Sequence, residues 1–202
     1  DANRAAGRGA GEYTDLQGFI FVSSAQATTP FHIDAEENIL IQIRGDKFVR
    51  TFDNGDRCLI SEEDMEISPS KHRNQRYEPW FEERATMHRL KPGDALHMPY
   101  MIPHWVSTGE TYSISMAMTW KTPEVKRLNK IRLMNGTLRR FGLPQKPPGI
   151  SPALDATKVL AHDAMRAVID PLRKSESMRR MLRGLIYGRK ANYYYDTKAE
   201  KA

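Results

Sequence analysis

The sequence predicts a mainly β protein, a double-stranded β-helix or jelly roll followed by α-helices. Three observations carry this: short β-branched and aromatic runs up to Trp120, turn residues between them, and a change to helical spacing beyond. The runs cover residues 18–24, 39–44, 48–52, 87–90, 95–98, 104–108 and 112–120, and most are rich in the residues that suit a pleated surface. Asp53-Asn54-Gly55-Asp56 and Lys91-Pro92-Gly93-Asp94 read as turns. Many short strands with such punctuation fit a double-sheet roll whose open mouth holds a ligand. Residues 61–84 are polar, carry Pro69 and Pro79, and interrupt the strand series; an insertion of this kind is expected at the substrate rim.

Past Trp120 the spacing changes. Thr122-Pro123-Glu124 is a helix start, with a hydroxyl cap, a proline in the first turn and an acid at the positive dipole end. Val125, Leu128, Ile131, Met134 and Leu138 then form the expected apolar stripe. Lys146-Pro147-Pro148-Gly149 breaks the chain, and Leu160, Ala164, Val168 and Leu172 form a second stripe that Asp170-Pro171 perturbs. A third helix is expected from Ser175, carrying Met178, Met181, Leu182, Leu185 and Ile186. The expected organisation is an N-terminal segment over 1–17, open to truncation upstream, a jelly-roll catalytic domain over 18–120 and a basic helical region over 121–202.

The chemistry concentrates in Thr29-Pro30-Phe31-His32-Ile33-Asp34 and, far downstream, Pro99-Tyr100-Met101-Ile102-Pro103-His104. Alternation along a strand puts His32 and Asp34 on one face. One further histidine completes a set of two imidazoles and a carboxylate, the facial arrangement with which non-haem Fe(II) oxygenases leave positions open for co-substrate and dioxygen. Lys47 stands thirteen residues beyond Asp34, past a turn at Gly45, on the next antiparallel strand. An ammonium facing inward there is unfavourable unless something anionic meets it, and a dicarboxylic acid spanning metal and lysine does so.

Residues 29–47 together with Leu90-Lys91-Pro92-Gly93-Asp94-Ala95-Leu96-His97-Met98-Pro99, Pro103-His104-Trp105 and Ser113-Ile114-Ser115-Met116 resemble the bacterial cupin-like relatives of the Jumonji-C oxygenases. The asparaginyl hydroxylase that modifies hypoxia-inducible factor is similar in the same two ordered motifs. The resemblance covers roughly residues 18–120 and implies a cupin fold and an Fe(II)- and 2-oxoglutarate-dependent hydroxylase. It places His32, Asp34 and His104 on the iron ligands and Lys47 and Thr29 on the distal carboxylate of 2-oxoglutarate. Asn38 falls on a polar residue near the co-substrate, and an asparagine that the hydroxylase has near Met118 is missing here.

Composition is that of a globular chain. No apolar run is long enough to cross a bilayer, and the single cysteine, Cys58, suits a reducing compartment where ferrous iron persists, so the cytoplasm is the expected location. No secretory signal stands at the start, and an opening at Asp1 without methionine leaves room for an upstream segment. Residues 1–120 carry 12 Lys and Arg against 18 Asp and Glu, a net −6, whereas 121–202 carry 19 against 7, a net +12. Arg179, Arg180, Arg183, Arg189 and Lys190 with Tyr193 to Tyr195 offer charge and stacking surface, yet no nucleic-acid motif accompanies them. A homodimer through the C-terminal helices is expected instead, with a protein, peptide or small-molecule substrate. His72, His88 and His162 are expected to be surface or structural residues, His97 is equally compatible with an inward or an outward position, and core packing is expected of Trp80 and Phe81. Two other readings stay open: a non-catalytic metal-binding cupin acting as a regulatory or assembly module, and a cupin enzyme that uses metal without 2-oxoglutarate. Lys47 discriminates among them, because only the keto-acid oxygenase needs a distal cation.

Overall fold

The computed structural model describes residues 13–71 and 73–172 together with Ser177, Met178 and Met181. The expected helix from Ser175, its Leu182, Leu185 and Ile186, and the basic residues from Arg179 onward therefore lie almost wholly outside the described residues, as does His72. Among the described residues the order is β1 (Thr14–Ser23), β2 (Thr28–His32), β3 (Glu37–Arg44), β4 (Lys47–Thr51) and α1 (Glu62–Ile67). Two short 3-10 turns then precede β5 (Thr86–Leu90), β6 (Ala95–Met98), β7 (His104–Thr108), β8 (Ser113–Lys121), α2 (Pro123–Arg140) and α3 (Pro152–Leu172).

The strands form two antiparallel four-stranded sheets, ordered β1-β8-β3-β6 and β2-β7-β4-β5. This is the jelly roll that the strand series predicts. The β3–β4 turn depends on Gly45, which has φ +70°; a Cβ there meets the Tyr112 carbonyl oxygen at 2.5 Å. Leu40, Met98 and Ala117 of the first sheet pack against Val49, Leu90 and Val106 of the second, so these residues mark the inner faces.

The first sheet inverts the usual polarity. On β8 the buried inner residues are Ser113, Ser115, Ala117 and Thr119, while Ile114, Met116 and Met118 lie on the outer side. On β3, Asn38, Leu40 and Gln42 point in and Ile39 and Ile41 point out. Gln42 is tied to Ser113 and Ser115 at 2.9 and 2.7 Å. A polar interior of this kind is tolerable only where hydrogen bonds or a ligand satisfy it.

The insertion meets the roll in two places: Met65 packs with Ile33 and Met101 beside the ligand-bearing loops, and residues 77–82 pack elsewhere. Phe81 and Tyr77 pack on Phe31, Phe52 and Trp105 at the face of the second sheet turned away from the inner side. Glu82 clamps them by accepting from Trp105 Nε1 at 3.0 Å and pairing with Arg50 Nε at 3.0 Å, and it also accepts from the Tyr77 hydroxyl. Phe81 is a core residue, as expected, whereas Trp80 is exposed and meets Phe81 edge-on.

The chain divides into two compact units, residues 1–158 and 159–202. Thr122 caps α2, its hydroxyl accepting from Val125 N at 3.1 Å. The buried line of α2 is Val125, Asn129, Ile131, Arg132 and Asn135; Leu128, Met134 and Leu138 of the expected stripe are half-buried. The helix is turned so that polar side chains face inward, because α1 and the loops beneath it supply partners: Arg132 meets Glu62 at 3.1 Å and Arg139 meets buried Glu66 at 2.8 and 2.9 Å. No helix among the described residues is long and apolar enough to cross a membrane.

Candidate metal centre

His32 closes β2 and His104 opens β7, and the register sets them directly opposite each other. Their rings lie 4.2 Å apart between centroids. Asp34 stands two residues beyond His32, and its Oδ2 lies 4.0 Å from His32 Nε2 and 3.9 Å from His104 Nε2. One ligand atom from each of the three lies within 4.8 Å of the others, so the triad can hold a metal ion.

Backbone carbonyls orient both rings. His32 Nδ1 is 2.7 Å from the Pro30 oxygen and His104 Nδ1 is 3.0 Å from the Ile102 oxygen, which fixes the proton on Nδ1 and leaves each Nε2 lone pair directed at the shared space. His104 is buried, and that burial, with His32 beside it, pushes its pKa down to about 4. It is a neutral donor at physiological pH, as a metal ligand must be. Two imidazoles and one carboxylate are a donor set for a first-row divalent ion.

Lys47 lies on the same inner face. On β4 it pairs with Thr108 of β7, and Thr51 of the same strand pairs with His104, so lysine and ligand are separated by four residues along the strand, roughly 13 Å. Only 5% of Lys47 is exposed, and burial holds its pKa below the ordinary value. Its one aromatic neighbour is Phe21, whose ring centroid is 5.9 Å from Nζ; among the described residues it has no acidic partner. Thr29 is opposite Val106, which puts it on the His104 side of β2 at the exposed mouth.

Opposite this wall, Asn38 and Thr119 are cross-strand partners on the inner face of the first sheet. Asn38 Oδ1 and Thr119 Oγ1 are buried with no hydrogen-bond partner among the described residues. Thr119 occupies the region near Met118 where the resembling hydroxylase carries an asparagine. A buried ammonium and a buried hydroxyl thus face one interior and can both donate to a carboxylate, whereas Asn38 Oδ1 is an acceptor that calls for a donor.

The other histidines separate cleanly. His97 points outward, 2.9 Å from Glu37 Oε2 and stacked on Trp120. His162 pairs with Asp163. His88 is half-buried on the inner side of β5 and lies 3.0 Å from Thr51 Oγ1, next to the His104 pair; no sequence spacing singled it out. Sequence reasoning also missed Tyr100 and Asn129, which join the ligand loops from behind.

Residues 4–125 match the profile of the family described as the cupin-like domain. Among solved structures, a DMSP lyase from Ruegeria pomeroyi is similar at 17% identity and a TM-score of 0.35, over 54% of this chain and 40% of that one. An oxalate decarboxylase from Bacillus subtilis is similar at 15% identity and a TM-score of 0.37, over 56% of this chain and 22% of that one. A cupin superfamily protein from Desulfitobacterium hafniense gives 15% identity and a TM-score of 0.33, over 52% and 68%. The chain thus spans less than half the length of the lyase and the decarboxylase. No curated protein matches it.

Proposed function

The chain belongs to the cupin-like domain family, and from that premise we propose that it is an Fe(II)- and 2-oxoglutarate-dependent oxygenase, hydroxylating a protein, peptide or small-molecule substrate. The observation that carries this reading is Lys47, a buried cation with no acidic partner among the described residues, on the same inner face as His32 and His104. Neither a structural cupin nor a metal-only enzyme needs a charge there. When bound, ferrous iron would let dioxygen act as the oxidant, one of its oxygen atoms entering the succinate formed as the keto acid loses carbon dioxide and the other entering the substrate C–H bond as a hydroxyl.

The residues have distinct roles. His32, Asp34 and His104 hold the metal on one side and leave its other positions to ligands. Lys47 meets the distal carboxylate through a charge-assisted hydrogen bond, which returns to the ammonium what burial withholds. Thr29 adds a hydroxyl from the mouth, and Asn38 with Thr119 lines the opposite wall. The Val49 and Val106 side chains between Lys47 and His104 exclude water along the length of the keto acid. Ferrous chemistry and the lone Cys58 support a cytoplasmic location. The proposal extends to a homodimer through the helices after Trp120, for which exposed Leu160 and Val168 supply apolar surface. A monomeric intact chain in light scattering overturns that part.

Anaerobic titration tests the central reading. Wild type takes up one Fe(II) and then 2-oxoglutarate; His32→Ala and Asp34→Ala lose the metal, while Lys47→Ala keeps it and loses the keto acid. Equal loss of both ligands in Lys47→Ala contradicts the assignment. A wild type that binds metal but makes no succinate across a broad substrate screen favours the non-catalytic module.

A further inference from the structure

Each ligand-bearing loop ends in backbone that something must hold. Asp34 lies beyond the end of β2, so no strand ladder fixes its peptide, and His104 is reached through the 99–103 loop, in which Met101 adopts φ +59° with its side chain fully buried. One direct link joins the loops: Met101 N donates to the Asp34 carbonyl at 3.0 Å.

A second link comes from outside the sheets. Asn129, on the buried line of α2 and 9% exposed, donates from Nδ2 to the carbonyl of Ala35 at 2.8 Å and accepts at Oδ1 from the Tyr100 hydroxyl, also at 2.8 Å. Ala35 follows Asp34, and Tyr100 opens the turn that leads to His104. Both ends of the amide are used, which is what makes a buried asparagine tolerable at this point. Burial pushes the Tyr100 pKa up to about 12, so its hydroxyl remains a donor throughout the physiological range. The side chain thus sits where its hydrogen bonds bridge the supports of two metal ligands on different strands.

We propose that Asn129 is a positioning residue for the metal centre: α2 uses its amide to set the separation between the Asp34 loop and the loop that delivers His104. This rests on the metal reading above and adds a residue that touches neither metal nor keto acid. The helix after the roll is then part of the site, because without the amide the two loops keep the Met101–Asp34 backbone hydrogen bond and the apolar packing of Ile33 and Ala35 with Met101 but lose the polar bridge that reaches Tyr100. Outer partners of ligands commonly change metal affinity by about 10–100-fold when removed.

The test uses Co(II), whose visible absorption reports both occupancy and ligand geometry, titrated anaerobically into the full chain. Asn129→Leu is expected to weaken Co(II) binding by about tenfold or more and to shift the absorption bands, and Tyr100→Phe, which removes one hydroxyl and leaves the fold intact, shifts them in the same direction. Asn135→Ala is the control. Asn135 is a fully buried amide on the same helix that donates to the Lys146 carbonyl at 3.0 Å, away from both ligand loops. It is expected to lower thermal stability while leaving Co(II) affinity and spectrum unchanged. Wild-type affinity and spectrum in both Asn129→Leu and Tyr100→Phe overturn the role of Asn129 alone. A wild-type chain that takes up no Co(II) overturns this proposal together with the metal reading.

Discussion

Two buried polar regions lie close together in the sequence and differ in one respect. Between α1 and α2, Glu66 is 2% exposed and Arg132 is 7% exposed, yet each charge faces an opposite one, through Arg139 and Glu62. Inside the roll, Lys47 is as deeply buried and, among the described residues, faces no acid, and Asn38 and Thr119 each leave an oxygen unpaired there. Burial alone does not separate structure from function; partnership does. A paired buried charge explains its own presence, whereas an unpaired one lowers stability until a ligand arrives.

That contrast predicts mutations of opposite sign. Arg139→Met leaves the Glu66 carboxylate buried without its bidentate partner and is expected to destabilise the fold by about 3–5 kcal/mol in urea unfolding, with metal uptake by the survivors unchanged. A loss below about 1 kcal/mol erases the distinction from that side.

The next largest effect is on pH. His104 has a folded pKa of about 4 against an ordinary 6.5, so between those values the unfolded chain binds the extra proton. Stability of the metal-free protein is therefore full above about pH 6.5 and falls as pH drops toward 4. His104→Leu is expected to flatten that slope in denaturation curves taken across the window, and an unchanged slope assigns it to another group.

Removing the unpaired cation works the other way. Lys47→Met is expected to raise the stability of the ligand-free chain by about 1 kcal/mol, since a buried charge without a counter-charge gives way to an apolar stem of similar length. It also abolishes the rise in Tm that 2-oxoglutarate gives the wild type. A destabilised Lys47→Met ranks this lysine with the paired charges of the α1–α2 region.

Thr119→Val gives the smallest change. Replacing an unsatisfied buried hydroxyl by a methyl is expected to be neutral or stabilising by up to about 1 kcal/mol, while keto-acid affinity falls. Isothermal titration against 2-oxoglutarate separates the two effects, and unaltered affinity removes Thr119 from the pocket wall.

The local residues were legible in the sequence because local chemistry is. The strand runs, the capped start of α2 and the turn at Gly45 follow from side-chain shape and backbone freedom, and they appear where those properties put them. His32, Asp34 and His104 stood out as a donor set, and the structure brings them together.

What alternation does not report is which side of a strand the fold covers, or what lies across from it. Ile39, Ile41 and Met116 are as apolar as a core face requires, yet they lie on the outer side while Asn38, Gln42 and Ser115 point in. The outward place of His97 and the polar buried line of α2 escape sequence reading for the same reason: each is decided by partners distant in the chain, Glu37 for one and Glu62 and Ala35 for the other. By itself the sequence determined the strand series, the helix starts and the identity of the donors, because these depend on neighbours a few residues away. Only the tertiary structure decided that Lys47 is buried with no acid beside it among the described residues and that Asn129 joins two ligand loops, because the energy of a polar group inside a protein is set by what the rest of the chain places against it.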